Sequence, residues 1–433
     1  MQLIANEHPL RHQLAGEIHS RPYTQLSAPA MVSHIAVMNG EHADHADIAH
    51  LKLLCEHFGV AQPSDNAKHF SQEFSNFFLK WERHTEFSTY TIFVSSPVDI
   101  PFERSPLNRL PKDWLSGLPG ELINATHVVV ETSDTKSRSI AETAAFFNDN
   151  NLTGSNVLDG KASFWTDGRI HSDGFGRILV RDNALNPRGL GRLVQRLLEI
   201  ETYRMTAMLA FPLAKESIKR IAHAEQKLSL IVKELPMLKD VGGERTLLSQ
   251  LSHLAADVEA ISVETTYRFS AARAYFALLE QRVRELREDR IPTLQPSGDF
   301  IFRRLAPAMA TCETMSGRQE KLSRHIARAS NLLRTRVDVA LEEQNRDLLQ
   351  SMDQRARRQL RLQQTVEGLS VVAISYYVLS LISYLAKGAK ALGLELDPYV
   401  IVLFSFPVII GLVWGGVRHI RQALTDETGN ANE

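Results

Sequence analysis

Cysteine is almost absent from this chain: Cys55 and Cys312 are the only two in 433 residues. They stand far apart and in no metal-ligand spacing. That excludes a cysteine zinc site and a disulfide framework, and it fits a reducing compartment. An excess of one charge is also lacking. The formal net charge is -1, so the basic surplus that marks a nucleic-acid binder is missing and no nucleic-acid partner is expected. Motifs that cradle phosphate or present a nucleophile are missing too. There is no P-loop, no G-x-G-x-x-G, no G-x-S-x-G and no kinase set. The opening residues, MQLIANEHPLRH, hold no apolar core of signal-peptide type. The body is therefore expected to stay in the cytoplasm, with insertion left to a later segment.

Two apolar runs supply that segment. Gly368–Ala386 (GLSVVAISYYVLSLISYLA) and Tyr399–Val417 (YVIVLFSFPVIIGLVWGGV) contain no charged residue. As helices rising about 1.5 Å per residue, each is long enough for a hydrocarbon core of roughly 30 Å. The stretch between them, Lys387–Pro398, is too short for a domain, so a helical hairpin is expected. Arg355, Arg357, Arg358 and Arg361 precede the first run, and Arg418 and Arg421 follow the second. Basic flanks favour the cytoplasmic side, which puts both termini there.

The rest of the chain changes character near Pro187. Before it, helical spacing of Ile48, Leu51, Leu54, Cys55 and Phe58 ends at Gly59, and strand-like runs follow at 89–94, 126–131, 157–165 and 177–181. Asp167-Gly168 and Asp173-Gly174 read as tight turns. Beyond Pro187 the strand signals stop. One helix is expected from Gly189 to about Leu235 with a kink at Pro212, a second from about Glu244 to Arg290, and a third from near Phe300 into the first apolar run. The expected fold is thus an α+β cytoplasmic domain (1–186), a long helical hairpin (187–298), a stalk helix (299–366), a two-helix transmembrane hairpin (367–417) and a cytoplasmic tail (418–433).

The junction LLRTRVDVALEEQNRDLLQSMDQRARRQLRLQQTVEGLSVVAI, Leu332–Ile374, resembles the stalk-to-span junction of the CorA-type divalent-cation channels. The order of parts is similar as well. The resemblance implies a CorA-like architecture, a homo-oligomer in a bacterial inner membrane, and ion transport or membrane-coupled sensing. One departure stands out: that family closes its first span with Gly-Met-Asn, where this chain has SYLAKGAK, Ser383–Lys390, and Lys387 repels cations. Closer still, KWERHTEFSTY (Lys80–Tyr90), FWTDGRIHSDGFGRILV (Phe164–Val180), GRLVQRLLEIETYRM (Gly191–Met205) and HPLR near the start resemble a bacterial family of membrane-anchored proteins to which no activity is attached.

Five groups of residues carry candidate chemistry. In an extended KWERHTEFSTY, Lys80, Glu82, His84 and Glu86 share one face. Glu82, His84 and Glu86 could hold a divalent cation or support acid–base work; equally, they form a solvated face with local ion pairs. HADHADIAH, His42–His50, has three histidines but lacks the i, i+4 pair and glutamate of a zinc protease. Asp167, Arg169, His171, Asp173 and Arg177 surround the two turns and read as turn formers or hard-cation ligands. Helix 191–205 carries Arg192, Gln195, Arg196, Glu199, Tyr203 and Arg204, with Arg196 and Glu199 spaced to pair. In the first apolar run, Tyr376, Ser380, Ser383 and Lys387 form a polar stripe that could line a pore or pack against a neighbouring helix. A membrane-anchored scaffold that binds a protein or small ligand is the alternative to transport.

Overall fold

The computed structural model describes residues 8–12, 14–15, 23–40, 46–135, 138–238, 241–391 and 397–429. His42 and His45 lie outside them. Eight strands precede Pro187: β1 (Ala30–Met38), β2 (His69–Phe74), β3 (Phe77–Arg83), β4 (Phe87–Val94), β5 (Glu121–Thr132), β6 (Thr153–Val157), β7 (Ala162–Thr166) and β8 (Gly176–Asp182). Three helices interrupt them, α1 (Ala46–Phe58), α2 (Lys112–Ser116) and α3 (Ile140–Ala144). Then come α4 (Pro187–Met208), α5 (Ala210–Glu234), α6 (Val241–Leu286), β9 (Asp289–Arg290), α7 (Ser297–Ala391) and α8 (Pro398–Gly429). The strands form one sheet in the order β2-β3-β4-β1-β5-β8-β7-β6-β9. Neighbours pair antiparallel except β5 and β8, which are parallel.

The two faces of this sheet differ. Met31, Ile35, Leu79, Trp81, Tyr90, Ile92 and Val129 point to an apolar core shared with Ile48, Leu51 and Leu54 of α1 and Trp114 of α2. Burying such side chains contributes about 1.5–3 kcal/mol each. The opposite face lies under α4 and is polar over β1, β3 and β4. There His34, Lys80, Glu82, Thr89 and Thr91 are all buried.

Three expected elements take other forms. The run 157–165 is a hairpin, not one strand, because Leu158, Asp159 and Gly160 turn at φ 54°, 63° and 79°. The helix expected over 189–235 is two helices that meet at Leu209. Pro212 lacks an N–H and its ring crowds the carbonyl of Met208, where α4 ends. The second long helix stops at Leu286, since Arg287 adopts φ 49°.

The chain divides into two compact units, Met1–Leu238 with Thr246–Asn331, and Lys239–Arg245 with Leu332–Glu433. The first holds the sheet, α4, α5, most of α6 and the start of α7. In the second, Arg336 pairs with the buried Glu244 at 3.0 Å. Residues 342–366 of α7 are exposed throughout. The C-terminal part of α7 and α8 are each long and apolar enough to cross a membrane. Their apolar side chains face outward; Leu385, Leu403 and Phe404 are examples.

Candidate functional site

A cavity of about 220 Å³ opens between the polar face of the sheet and α4. Strand pairing fixes its floor. His34 of β1 stands opposite Thr91 of β4, and Thr91 opposite Lys80 of β3, so three strands present polar groups side by side. Gln195, Glu199 and Thr202 of α4 form the roof, spaced to share one helical face. Thr24 and Gly191 close one end. A Cβ on Gly191 would lie 1.8 Å from the Thr24 carbonyl oxygen, so only glycine lets the two backbones approach there.

The hydrogen bonds assign the His34 tautomer. The Thr202 hydroxyl donates to Leu198 O at 3.0 Å and accepts from Asn124 Nδ2 at 3.1 Å. Having spent its proton, Thr202 can only accept from His34 Nε2, 3.1 Å away. His34 Nδ1 then accepts from Thr91 Oγ1 at 2.8 Å. The ring is neutral: burial, aided by the Lys80 charge, pushes its pKa down to about 3.

Lys80 and Glu82 form a salt bridge of 3.0 Å, with side chains only 4% and 11% exposed. Lys80 Nζ also donates to Gln195 Oε1 at 3.3 Å, and Gln195 Nε2 donates to Glu199 Oε1 at 2.7 Å. Arg282 of α6 grips the other Glu199 oxygen and reaches Glu285 at 3.1 Å. Charges of alternating sign thus run from the sheet across α4 to α6. Burial works to lower the Arg282 pKa, but Glu199 and Glu285 together more than offset it and hold the guanidinium charged.

The proposed metal trio is not assembled. Glu82 and His84 line the cavity, and the His84 ring stacks on Phe87 at 4.3 Å. Glu86 does not follow the strand alternation, because β3 ends at Arg83 and residues 84–86 turn into β4. Glu86 is buried against α6 instead, where Arg268 takes both its oxygens at 3.0 and 2.6 Å and Tyr267 donates at 3.0 Å. Among the described residues, no three His, Cys, Asp or Glu side chains are grouped to hold a metal ion.

Other sequence candidates resolve into structural roles. Asp47 sits in the first turn of α1, where its carboxylate accepts from Ile48 N at 2.9 Å, Ser88 Oγ at 2.7 Å and Arg83 Nε at 2.9 Å. Burial works to raise its pKa, but Arg83 and Ser88 together more than offset that and hold it below the usual carboxylate range. His50 Nε2 donates to Trp114 O, 2.8 Å away, and its ring stacks on that indole. Asp167 and Asp173 behave as turn formers, accepting from Arg169 N and Phe175 N. Asp167 also meets His171 at 3.1 Å in a buried pair, and Asp173 meets Arg177 at 3.4 Å. The expected Arg196–Glu199 pair does not form. Arg196 binds Glu285 at 3.0 Å, since Gln195 and Arg282 already hold Glu199. In the apolar segment of α7, Tyr376 and Lys387 are exposed and Ser380 and Ser383 half-buried, whereas Ser375 is buried.

The sequence reading passes over His34, Thr91, Thr202 and Arg282. His34 had one signal, a lone histidine inside the otherwise apolar AMVSHIAVM of β1. Nothing local marks Arg282, which arrives from a helix many residues downstream.

Fold and site define an α+β protein with a polar cavity under one helix and two C-terminal helices fit to cross a membrane. The family model described as "Protein of unknown function (DUF3422)" matches residues 6–424, so the chain belongs to that family. Its description carries no activity and does not join the chain to the CorA-type channels. No curated protein matches the chain.

Proposed function

We propose that the chain is a membrane-anchored binding protein whose α+β body encloses a small polar ligand beneath α4. The observation that carries this is the buried polar face of the sheet, with the Lys80–Glu82 pair in the cavity wall. A buried ion pair is weak support for stability, because desolvation offsets the attraction. Its retention beside a cavity points to use. Lys80 has three N–H donors and spends two, on Glu82 and Gln195. The third, with the free lone pairs of Glu82, suits a ligand bearing both an acceptor and a donor.

The two apolar helices act as the anchor, a hairpin with both termini on the cytoplasmic side of a bacterial inner membrane. The arginines flanking the runs support that orientation. Copies assemble through residues 342–366, the exposed part of α7. Ion transport on a CorA-like architecture is the rival reading and rests on the Tyr376–Ser380–Ser383–Lys387 stripe. The test uses the full chain in neutral detergent. Thermal-shift screening with small zwitterions and hydroxy acids should find a stabilising ligand whose effect disappears in Lys80→Met/Glu82→Leu. Flux of Mg²⁺ through reconstituted liposomes, with no ligand in such a screen, would overturn the binding reading in favour of the channel.

A further inference from the structure

A second cavity lies against the first turns of α4 and differs in charge. It is an open groove of about 780 Å³ between the first turns of α4, the β6–β7 turn and the C-terminal end of α6. Its volume falls within the roughly 300–1,000 Å³ usual for small-molecule sites. Lys161, Arg192, Arg196, Arg284 and Arg287 line it, with Glu285 as the only lining carboxylate.

That carboxylate is already saturated. Oε1 accepts from Gln281 Nε2 at 2.9 Å and from Arg282 at 3.1 Å, and Oε2 accepts from Arg196 Nε at 3.0 Å. Arg287 is held by Asp159 at 2.9 Å. Lys161, Arg192 and Arg284 remain, and among the described residues none of the three has a carboxylate partner. Arg192 instead lies 5.6 Å from the centre of the Tyr23 ring. Three uncompensated cations around one groove repel one another and concentrate anions.

The walls are built rather than loose. Leu158, Asp159 and Arg287 all take left-handed backbone conformations, at φ 54°, 63° and 49°. Leu158 N donates to Leu286 O at 3.0 Å, which ties the two turns together. Lys161 comes from the first of these turns and Arg284 from the helix end just before the second, and both line the groove. The positive end of the α4 dipole adds to the field there.

We propose that this groove binds a phosphate-bearing anion with two or three negative charges. The count follows from the three unpaired cations, and the planar guanidiniums of Arg192 and Arg284 suit paired phosphate oxygens. The anion is either a soluble phosphorylated molecule or the headgroup of an acidic phospholipid. The site is separate from the cavity under the middle of α4, and the proposal stands without that cavity's ligand.

The test is calorimetric titration of inorganic pyrophosphate into the full chain, held in phosphatidylcholine nanodiscs at low ionic strength. Saturable binding is expected, weakened about tenfold by Lys161→Gln or Arg284→Gln. The charge-keeping Arg284→Lys should retain much of it. Arg324→Gln, an exposed arginine outside the groove, should change nothing. Repeating the titration with phosphatidic acid, whose phosphomonoester carries up to two charges, in the nanodisc separates the sources: competition assigns a headgroup, and unchanged binding assigns a soluble molecule. Lys161 and Arg284 are exposed, so their removal takes no packing from the core, and near-ultraviolet circular dichroism checks that the fold is kept. No binding of pyrophosphate by the parent, or equal binding by the Lys161→Gln/Arg284→Gln double variant, would overturn the proposal.

Discussion

Deleting the ammonium of Lys80 tests whether the cavity wall exists for stability or for binding. Lys80→Met keeps most of the stem and removes the charge. Glu82 is then left with its side chain 11% exposed and without its 3.0 Å partner. Removing one member of a buried pair costs about 3–5 kcal/mol, because the survivor's desolvation is no longer compensated. At roughly 2–4 °C per kcal/mol for a body of this size, a loss near 3 kcal/mol lowers the Tm by about 6–12 °C. Glu82→Leu should cost a similar amount, tempered by the Lys80–Gln195 bond of 3.3 Å. The double variant Lys80→Met/Glu82→Leu replaces the pair with apolar volume. It should sit within about 1 kcal/mol of the parent. Thermal unfolding of the full chain in detergent, followed by near-ultraviolet circular dichroism, reads all four proteins. Trp81 stands between the two residues in sequence but is buried in the core on the opposite face of the sheet, so it reports whether the packing of the body survives. Two outcomes refute the reasoning. One is single variants as stable as the parent, which means water reaches the pair. The other is a double variant as unstable as the sum of the singles, which means the pair does not act as a unit.

Acid should destabilise the body in a defined window. Burial holds His34 near pKa 3 and His127 near 4, so below about pH 6.5 the unfolded chain takes up protons that the folded chain refuses. Stability is therefore level above about pH 7 and falls by roughly 2 kcal/mol per histidine between about pH 7 and 5, in urea titrations. The charges facing them are Lys80 for His34, and Asp173 and Arg177 for His127; Glu288, raised by burial, works in the opposite direction. A midpoint unchanged across that window counts against buried neutral histidines. Gly191→Ala should lower the Tm sharply, by more than the roughly 1–3 kcal/mol usual for overpacking, because its methyl meets the Thr24 backbone rather than a movable side chain. Wild-type stability in Gly191→Ala means that the 23–26 segment lifts away freely. Glu86→Gln should weaken the grip of α6 on the β3–β4 turn and speed protease cleavage near His84, since Arg268 loses its charged partner. An unchanged cleavage rate removes that staple.

The strands at 89–94, 126–131 and 177–181 and the long helices were legible because their patterns are written in adjacent residues; β1, buried along nearly its whole length with no alternation, and β2 were not expected. Sequence alone misread 157–165 although Asp159-Gly160 is a tight-turn dipeptide like those at 167–168 and 173–174; the turn begins one residue earlier, at Leu158, and leucine rarely adopts a left-handed conformation. The cavity was half legible. Lys80, Glu82 and His84 stood out by alternation, and Gln195 and Glu199 by their place on an amphipathic helix. What could not be read was pairing between distant elements. His34 needs Thr91 and Thr202 to become a fixed neutral ring, and Glu199 needs Arg282, and both sets meet only after the sheet and α4 pack. Glu86 shows the converse. Its alternation with Glu82 and His84 was real in the sequence, but the turn after Arg83 sent it to Arg268.

The exposed part of α7 bears on how the binding body and the anchor are related. Over 342–366, Leu348, Leu349, Met352, Leu360 and Leu362 are at least half exposed. Few isolated helices in water hold together on propensity alone; most draw their stability from packing an apolar face. A second copy of the same segment is the simplest cover, since each copy brings the same rows. Assembly of this kind does not require a pore. A conducting bundle needs a polar lining that admits its ion, and the stripe ends at Lys387, whose ring of like charges at a narrow mouth would oppose cations. On the proposed reading, stalk assembly would cover the apolar surface of α7, and the chemistry would fall to the sheet body, where buried polar groups gather around a cavity.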